Sequence, residues 1–582
     1  MITFMPTPLR LCFFVVAALA GGLVAALAQE QPAAAPAATP VYPFVRLVIA
    51  DTAEKVAVLQ ATPDTGPVLV QDVPLLATKE FTDTVAAYVG RPITFDLINQ
   101  LGRDIRAYLK KHDVLVAGIL PLDNQKVISG EIRLIVTMGH YKQLQIQGNR
   151  WFSRDLLQTR LGVKPGDEVR LSTLEEAVNW ANANPFRRVK VLVNEVQTEP
   201  GMADLIVNVQ EALPLRLATS FDNSGNEVIG QSHYTASVQF GNLWGLDHQG
   251  SYQFTTTDDI RLYQAHSGDY RIPLPWHHYV QFSGAYSKSQ PTFGGANNND
   301  FSLTGESVLA DLRYIAPIER APFSLEFSAG LDFKRTNNNL EYGGEQVRAT
   351  NNDIFQLNLG ATVVRRDHAG AWVFGANVSL SPGNVNSRNS DDAFAIARPN
   401  GYNLLFDANG NPVQWVAVGQ SRYIYGTFVV QRLTTLPAGF QLISRGQLQL
   451  ASANLINTEQ LTLGGEGTVR GYSPNVTSGD EGFLFSQELQ GPEWQTPLAV
   501  YGRKIPPLQT RLVAFWDYGT TWYKHPFASD LAPRPLMGAG LGLRCNVATN
   551  FSLLADYGYQ LITTIPAQPN HHCASIKVTL SY

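Results

Sequence analysis

The chain has 582 residues, which is too long for one ordinary core, so at least two domains are expected. Its formal net charge of −5 gives no basic surface and argues against a nucleic-acid partner. Charged residues make up 16% of the chain and aromatic residues 10%. That charge content is low for a soluble protein, for which about 25% is usual.

The N-terminus has the features of an export signal. Arg10 is followed by an uncharged, apolar run over residues 11–28 that ends in Ala26-Leu27-Ala28, a small-x-small cleavage pattern. A membrane-anchor helix is the alternative, because the run approaches spanning length. We predict a signal peptide over residues 1–28. Residues 29–66 are a Pro/Ala-rich spacer and an unassigned segment, which is either a linker or contains a strand near 44–49.

Two similar α+β modules are predicted next, over residues 67–139 and 140–211. Each has the pattern β-α-α-β-β, with helices capped by Thr78 and Thr94 in the first copy and by Ser153 in the second. A capping box formed by Ser172 and Glu175 is predicted to open the last helix. Small modules of this kind leave a strand edge that pairs with an extended chain from another protein. A rigid spacer with covered edges is the alternative.

From residue 212 to residue 582 the pattern changes to two-residue alternation, which is typical of strands. One example is the apolar face Phe323, Leu325, Phe327, Ala329, Leu331 and Phe333, which alternates with polar and small residues. A soluble sandwich explains any single strand. The export signal, the long segments and the polar loops together favour an outer-membrane β-barrel. At about 23 residues per strand and connection, this length predicts roughly sixteen strands.

A glycine-rich segment, Leu463-Gly464-Gly465-Glu466-Gly467-Thr468-Val469-Arg470-Gly471-Tyr472, lies between two predicted strands. Counting strands back from the C-terminus places residues 463–481 in an extracellular loop. In the strand over 511–519, Leu512 and Trp516 belong to the lipid face, so Asp517 faces the lumen. A loop that folds inward brings Arg470 to Asp517; otherwise each charge is separately solvated.

These motifs resemble those of the two-partner secretion transporters (TpsB, the haemolysin and filamentous-haemagglutinin transporters) of the outer-membrane POTRA-barrel superfamily. Val469-Arg470-Gly471-Tyr472 resembles the loop-six motif of the superfamily, and Phe515 to Gly519 resembles its F-x-D-x-G strand motif. Asn184-Pro185-Phe186-Arg187 resembles the second POTRA module, and Gly241-Asn242-Leu243-Trp244-Gly245 resembles the first barrel hairpin. The resemblance implies that loop six enters the lumen and that Arg470 bridges Asp517. The implied fold is two α+β POTRA modules followed by an antiparallel transmembrane β-barrel.

The implied function is that of an outer-membrane translocation pore with periplasmic POTRA modules. It recruits an unfolded secreted partner, large and β-helical, through the POTRA edges, and contacts outer-membrane lipid. No Walker-type, His-Glu-x-x-His or Gly-x-Ser-x-Gly motif is present in the sequence, so neither an enzyme activity nor a metal or other cofactor is expected. The alternatives are an insertase that assembles other barrels and, third, a passive porin.

Overall fold

The computed structural model describes residues 42–60, 66–196, 198–225, 229–290, 301–320, 322–342, 345–394, 419–500, 503–526, 535–563 and 570–582. The expected signal peptide, residues 1–28, and the spacer up to residue 41 lie outside these ranges. Within the part of the chain that the structure describes, no helix is both long and apolar enough to cross a membrane.

The first module begins earlier than the sequence predicts. Its elements are β1 (Arg46–Ala50), α1 (Ala53–Val58), β2 (Val68–Gln71), α2 (Lys79–Ala86), α3 (Phe95–Lys111), β3 (Ala117–Pro121) and β4 (Glu131–Met138). β1 is parallel to both β2 and β4 and lies between them, and its residues from Leu47 to Ala50 are fully buried. The unassigned segment therefore contains a strand, and a boundary at residue 67 would remove one of the two inner strands of this four-stranded sheet.

Thr78 and Thr94 cap helices as the sequence predicts. The Thr78 hydroxyl accepts a hydrogen bond from the backbone N–H of Phe81 at 3.2 Å, at the start of α2. The Thr94 hydroxyl accepts one from the N–H of Leu97 at 3.2 Å, at the start of α3. Each cap satisfies a helix N–H group that has no partner within the helix.

The second module has the predicted order β-α-α-β-β. It consists of β5 (His140–Gln147), α4 (Arg154–Leu161), α5 (Leu171–Ala181), β6 (Arg187–Glu195) and β7 (Met202–Glu211). The sheet order is β5-β7-β6, in which β7 is parallel to β5 and antiparallel to β6. Both helices pack on one face of this sheet through buried residues such as Leu157, Ala177 and Leu205. β5 and β6 are therefore the edge strands of the sheet.

The predicted capping box at Ser172 is wrong. α5 begins at Leu171, so Ser172 is already inside the helix, and Arg170 at the cap position makes no side-chain capping bond. Asp113, from the turn after α3, caps the helix instead. It accepts hydrogen bonds from the N–H of Ser172 at 2.7 Å and from its hydroxyl at 2.6 Å. The hydroxyl bond is the main reason that the pKa of Asp113 lies below its usual value.

The rest of the chain closes into an antiparallel barrel, as predicted. Its strands up to the glycine-rich segment are β8 (Leu215–Asp222), β9 (His233–Leu243), β10 (His248–Thr256), β11 (Tyr263–Pro273), β12 (Tyr279–Ser289), β13 (Phe301–Arg320), β14 (Phe323–Tyr342), β15 (Glu345–Asp367), β16 (Gly370–Pro382), β17 (Arg422–Thr435) and β18 (Gln441–Ala451). Two short strands, β19 (Leu461–Leu463) and β20 (Thr477–Gly479), pair with each other in a separate two-stranded sheet that is not part of the barrel wall.

The wall then continues to the C-terminus and returns to its first strand. Its remaining strands are β21 (Glu481–Gln490), β22 (Trp494–Val500), β23 (Arg503–Trp522), β24 (Leu536–Val547), β25 (Phe551–Gln560) and β26 (His572–Ser581). β21 and β22 pair with successive parts of β23, so they form one interrupted strand. Counted in this way the barrel has 16 strands, and β26 closes it by pairing with β8.

The predicted alternation of lipid and lumen faces is confirmed on β23. Leu512 and Trp516 are 53% and 37% exposed on the outer surface, whereas Val513, Phe515 and Asp517 are buried. Successive side chains of a strand point to opposite faces, so the second group faces the lumen. The lumen face of β23 is therefore a surface against which a loop that enters the barrel can pack.

Candidate functional site

The loop between β18 and β21, residues 452–480, folds into the barrel; we call it the lumen loop. It follows β18 at the end of the barrel opposite the second module, as strand counting predicts. Val469 and Tyr472 are buried at 0% and 1% exposure, in a cluster with Leu463, Leu484 and Leu536. The motif residues therefore form a small core between the loop and the wall.

Arg470 and Asp517 are brought together as a two-pronged ion pair. Nε of Arg470 donates to Oδ2 of Asp517 at 2.7 Å, and Nη2 donates to Oδ1 at 2.9 Å. The backbone N–H of Arg470 also donates to Oδ2, at 3.1 Å. Asp517 is fully buried and Arg470 is 7% exposed. A bidentate pair in this environment fixes both the position and the orientation of the guanidinium group.

Phe515 and Gly519, the other residues of the strand motif, shape the wall beside this pair. The guanidinium carbon of Arg470 lies 3.6 Å from the ring centroid of Phe515, a close cation–π contact. A side chain at Gly519 would press on Leu463, at 2.8 Å, and on Val469, at 3.1 Å. The strand motif therefore supplies a carboxylate, an aromatic platform and space for the loop.

Gly471 and Tyr472 attach the loop to β24 and β25. Gly471 has φ of +96°, a conformation that side chains other than glycine rarely adopt, and its carbonyl accepts a hydrogen bond from Gln560 at 2.9 Å. The Tyr472 hydroxyl donates to the carbonyl of Met537 at 3.0 Å. Side chains at Gly538 or Gly558 would collide with the loop backbone at Arg470 and Gly471. These glycines allow backbone to lie directly on the wall.

Three further charged residues complete the cluster, and the sequence did not reveal them. Glu488 on β21 accepts a hydrogen bond from Nη1 of Arg470 at 2.8 Å, and Asp556 on β25 lies 3.5 Å from the same nitrogen. Arg544 on β24 bonds Asp556 at 2.6 Å and Glu488 at 3.3 Å. Two guanidinium groups thus face three carboxylates. Strand parity places all three residues in the lumen, but only the closed barrel shows that they meet at Arg470.

A second buried charge cluster joins the second module to the barrel. Asp247, in the turn between β9 and β10, is 3% exposed and accepts hydrogen bonds from three side chains of the module. Arg187 donates to both of its oxygens, at 2.6 and 2.9 Å, Arg160 donates at 3.0 Å, and Asn184 donates at 2.8 Å. A single carboxylate therefore holds the start of β6 and the end of α4.

The contacts around Asp247 explain two motifs that were found separately in the sequence. Asn184, Phe186 and Arg187 come from the module motif, and Gly241 and Asn242 come from the hairpin motif. A side chain at Gly241 would collide with the Phe186 ring, and the Gly241 carbonyl accepts a hydrogen bond from Asn184 at 2.6 Å. Asn242 donates to the carbonyl of Trp151 at 2.9 Å. The two motifs are the two sides of one interface.

The barrel, the two α+β modules and the arginine anchored in the lumen define an outer-membrane transporter of the POTRA-barrel kind. The family model described as "Haemolysin secretion/activation protein ShlB/FhaC/HecB" matches residues 201–545. This match covers more than half of the chain, and the chain belongs to that family.

Similar proteins agree with this assignment. The chain is 23% identical over 433 residues to "Outer membrane transporter CdiB" of Dickeya dadantii, covering 73% of this chain and 71% of that protein. It is 21% identical over 519 residues to "Heme/hemopexin transporter protein HuxB" of Haemophilus influenzae, covering 85% and 83%. The solved structure of CdiB from Escherichia coli has the same fold, with a TM-score of 0.69, 15% identity, and 95% and 93% of the two chains covered. The predicted family, the outer-membrane location and the role as a transport pore are thus confirmed, and an insertase is not favoured.

Proposed function

We propose that the periplasmic modules capture an unfolded secreted partner and that the partner then crosses the outer membrane through the barrel lumen. The observation that carries the capture step is the free edge of the second module. β6 is an edge strand of the order β5-β7-β6. Edge strands present unpaired N–H and C=O groups, to which an extended chain can add as a further strand.

The hydrogen bonds of β6 show which of its backbone N–H and C=O groups face outward, where a partner strand can bond them. The backbone N–H and C=O of Val189 bond the side chain of Asn182, at 2.6 and 3.0 Å, so these groups point away from β7. In an antiparallel pair, residues alternate between bonding the partner strand and pointing outward. Val191 and Val193 therefore present their backbone groups to the same outward side. Leu192 between them is 58% exposed and offers an apolar contact.

The driving force for export is proposed to be folding of the partner outside the cell. The sequence contains no nucleotide-binding motif, so energy from nucleotide hydrolysis has no candidate residues. A partner that folds on emerging cannot return through the lumen, and burial of its apolar surface makes the step favourable. By the family resemblance, the partner is proposed to be a large β-helical protein.

The capture step is tested by binding between a fragment of residues 42–211 and extended segments of any secreted protein that is encoded next to this chain. The fragment starts at residue 42 because β1 lies inside the first sheet. We expect one segment to bind, and expect Val191→Pro to weaken binding, because proline removes an outward N–H. Val191→Thr keeps the N–H and serves as the matched control. Recruitment by this edge is excluded if no segment binds, or if the two variants bind equally well.

A further inference from the structure

The first part of the lumen loop contains a buried carboxylate that none of the motifs includes. This part, residues 452–460, is called the loop base. It ends in a single 3-10 turn, Asn457–Glu459, and the side chain of Glu459 at its end is fully buried. A buried carboxylate is costly unless it is paired and hydrogen-bonded, so its partners show what it holds in place.

Glu459 bonds three strands of the barrel wall. Nζ of Lys334 on β14 donates to both carboxylate oxygens, at 2.9 and 3.0 Å. Nε2 of Gln356 on β15 donates to Oε2 at 2.7 Å, and the hydroxyl of Tyr425 on β17 donates to the same oxygen at 2.9 Å. One carboxylate thus fastens the loop base to three strands.

The backbone of the loop base is held in the same place. Nε2 of Gln449 donates to the carbonyl of Glu459 at 3.0 Å and to that of Asp480 at 3.1 Å. The fully buried Asp480, at the far end of the lumen loop, accepts hydrogen bonds from the N–H of Leu455 and from the side chain of Gln460, both at 2.8 Å. The two ends of the loop are therefore tied together beside Glu459.

Glu459 and Arg470 attach the loop to two different parts of the wall. Glu459 bonds β14, β15 and β17, whereas Arg470 contacts β21, β23 and β25. β18 lies between these two groups in the strand order. The segment from Glu459 to Arg470 therefore runs from one part of the wall to another.

We propose that Glu459 is a positioning residue that forms a second anchor of the lumen loop, so that the loop leaves the lumen only when both anchors release. The inference rests on the proposed passage of the partner through the lumen. The Arg470 anchor fixes the motif, and the Glu459 anchor fixes where the loop base enters the barrel. A loop released at the base would keep its motif contacts but no longer span the same part of the lumen.

The test measures ion conductance of the purified full chain in planar bilayers, without any secreted partner. Glu459→Gln keeps the shape of the side chain but leaves the Lys334 ammonium without its counter-charge. We expect the open-state population to rise on the order of 100-fold over wild type. Glu459 is fully buried but Lys334 is 23% exposed, so the change is expected near or below the lower end of the range for loss of one member of a buried pair. Lys334→Gln removes the same pair from the other side and is expected to give the same increase. The double variant is expected to add little to either single change.

The control is Glu493→Gln, because Glu493 pairs with Arg511 at 3.2 Å and that pair includes no residue of the lumen loop. Wild-type conductance in both Glu459→Gln and Lys334→Gln would overturn the second anchor, as would an equal rise in the control. Failure of both variants to give a folded barrel, seen as loss of heat-modifiable electrophoretic migration, would assign Glu459 to folding and would also overturn the proposal. No secreted partner is present, so these results do not depend on whether the export route is correct.

Discussion

Replacement of Arg470 by alanine is expected to reduce secretion of the partner by at least about ten-fold, because loss of one member of a buried ion pair costs about 3–5 kcal/mol. Asp517 would remain fully buried without the guanidinium group that binds both of its oxygens at 2.7 and 2.9 Å. Glu488 would lose its 2.8 Å hydrogen bond as well. The loop would then no longer be fixed to β23, although the barrel wall keeps its own strand pairing.

The measurement compares the secreted partner in the medium with the amount of heat-modifiable barrel in the outer membrane. Arg511→Ala is the matched control, since Arg511 lies on the lumen side of the same strand but pairs with Glu493 at a partly exposed position. Such a pair contributes about 1 kcal/mol or less, so near-normal secretion is expected. Wild-type secretion in Arg470→Ala would show that the loop anchor has no role in export.

Replacement of Asp247 by asparagine is expected to release the second module from the barrel and to reduce secretion while the barrel still inserts. Asparagine has the same shape and tolerates the positive φ of 65° at this position, so the turn itself is preserved. The charge is lost, however, and the buried Arg187 and the nearly buried Arg160 are left without a counter-ion. A cost of about 3–5 kcal/mol is expected for this interface.

Protease sensitivity of the link between the second module and the barrel, around residues 211–215, provides the direct measurement for Asp247→Asn. We expect faster cleavage there and less secretion than in wild type. Asp259→Asn is the control, because Asp259 forms its ion pair with the exposed Arg261, which lies two residues further along the chain. Unchanged cleavage and secretion in Asp247→Asn would show that the charge cluster does not hold the module.

Strand periodicity was sufficient to place the barrel and the lumen face of β23, because side chains alternate strictly along a strand. The alternation along β23 predicts that the Asp517 side chain faces the lumen. The pairing of Asp517 with Arg470 is implied by the motif resemblance. Periodicity along one strand does not reveal which residues meet across the lumen. Glu488, Arg544 and Asp556 lie on three different strands, and Glu459 lies in an irregular loop. Their convergence depends on barrel closure and on the path of the loop.

Two local features are not settled by neighbouring residues. The short apolar run near 44–49 has no clear alternation, so the sequence leaves both a strand and a linker open. The strand β1 forms there because it pairs with β4, whose residues lie 85 positions further along the chain. Ser172 fits a capping box by spacing alone, but the carboxylate of Asp113, in the turn after α3 and 59 residues earlier in the chain, takes the capping role. In both cases a contact distant in the sequence decided the local structure.

The most direct test of the transport function is co-expression of the full chain with a candidate secreted protein encoded next to it, with that partner measured in the medium and in the periplasm. We expect the partner to reach the medium only when the full chain is present, and to stay in the periplasm when residues 42–211 are deleted from a barrel that still inserts. Equal amounts of partner in the medium with and without the chain would contradict export by this pore. Loss of other outer-membrane barrels in its absence, with secretion unchanged, would identify an insertase instead.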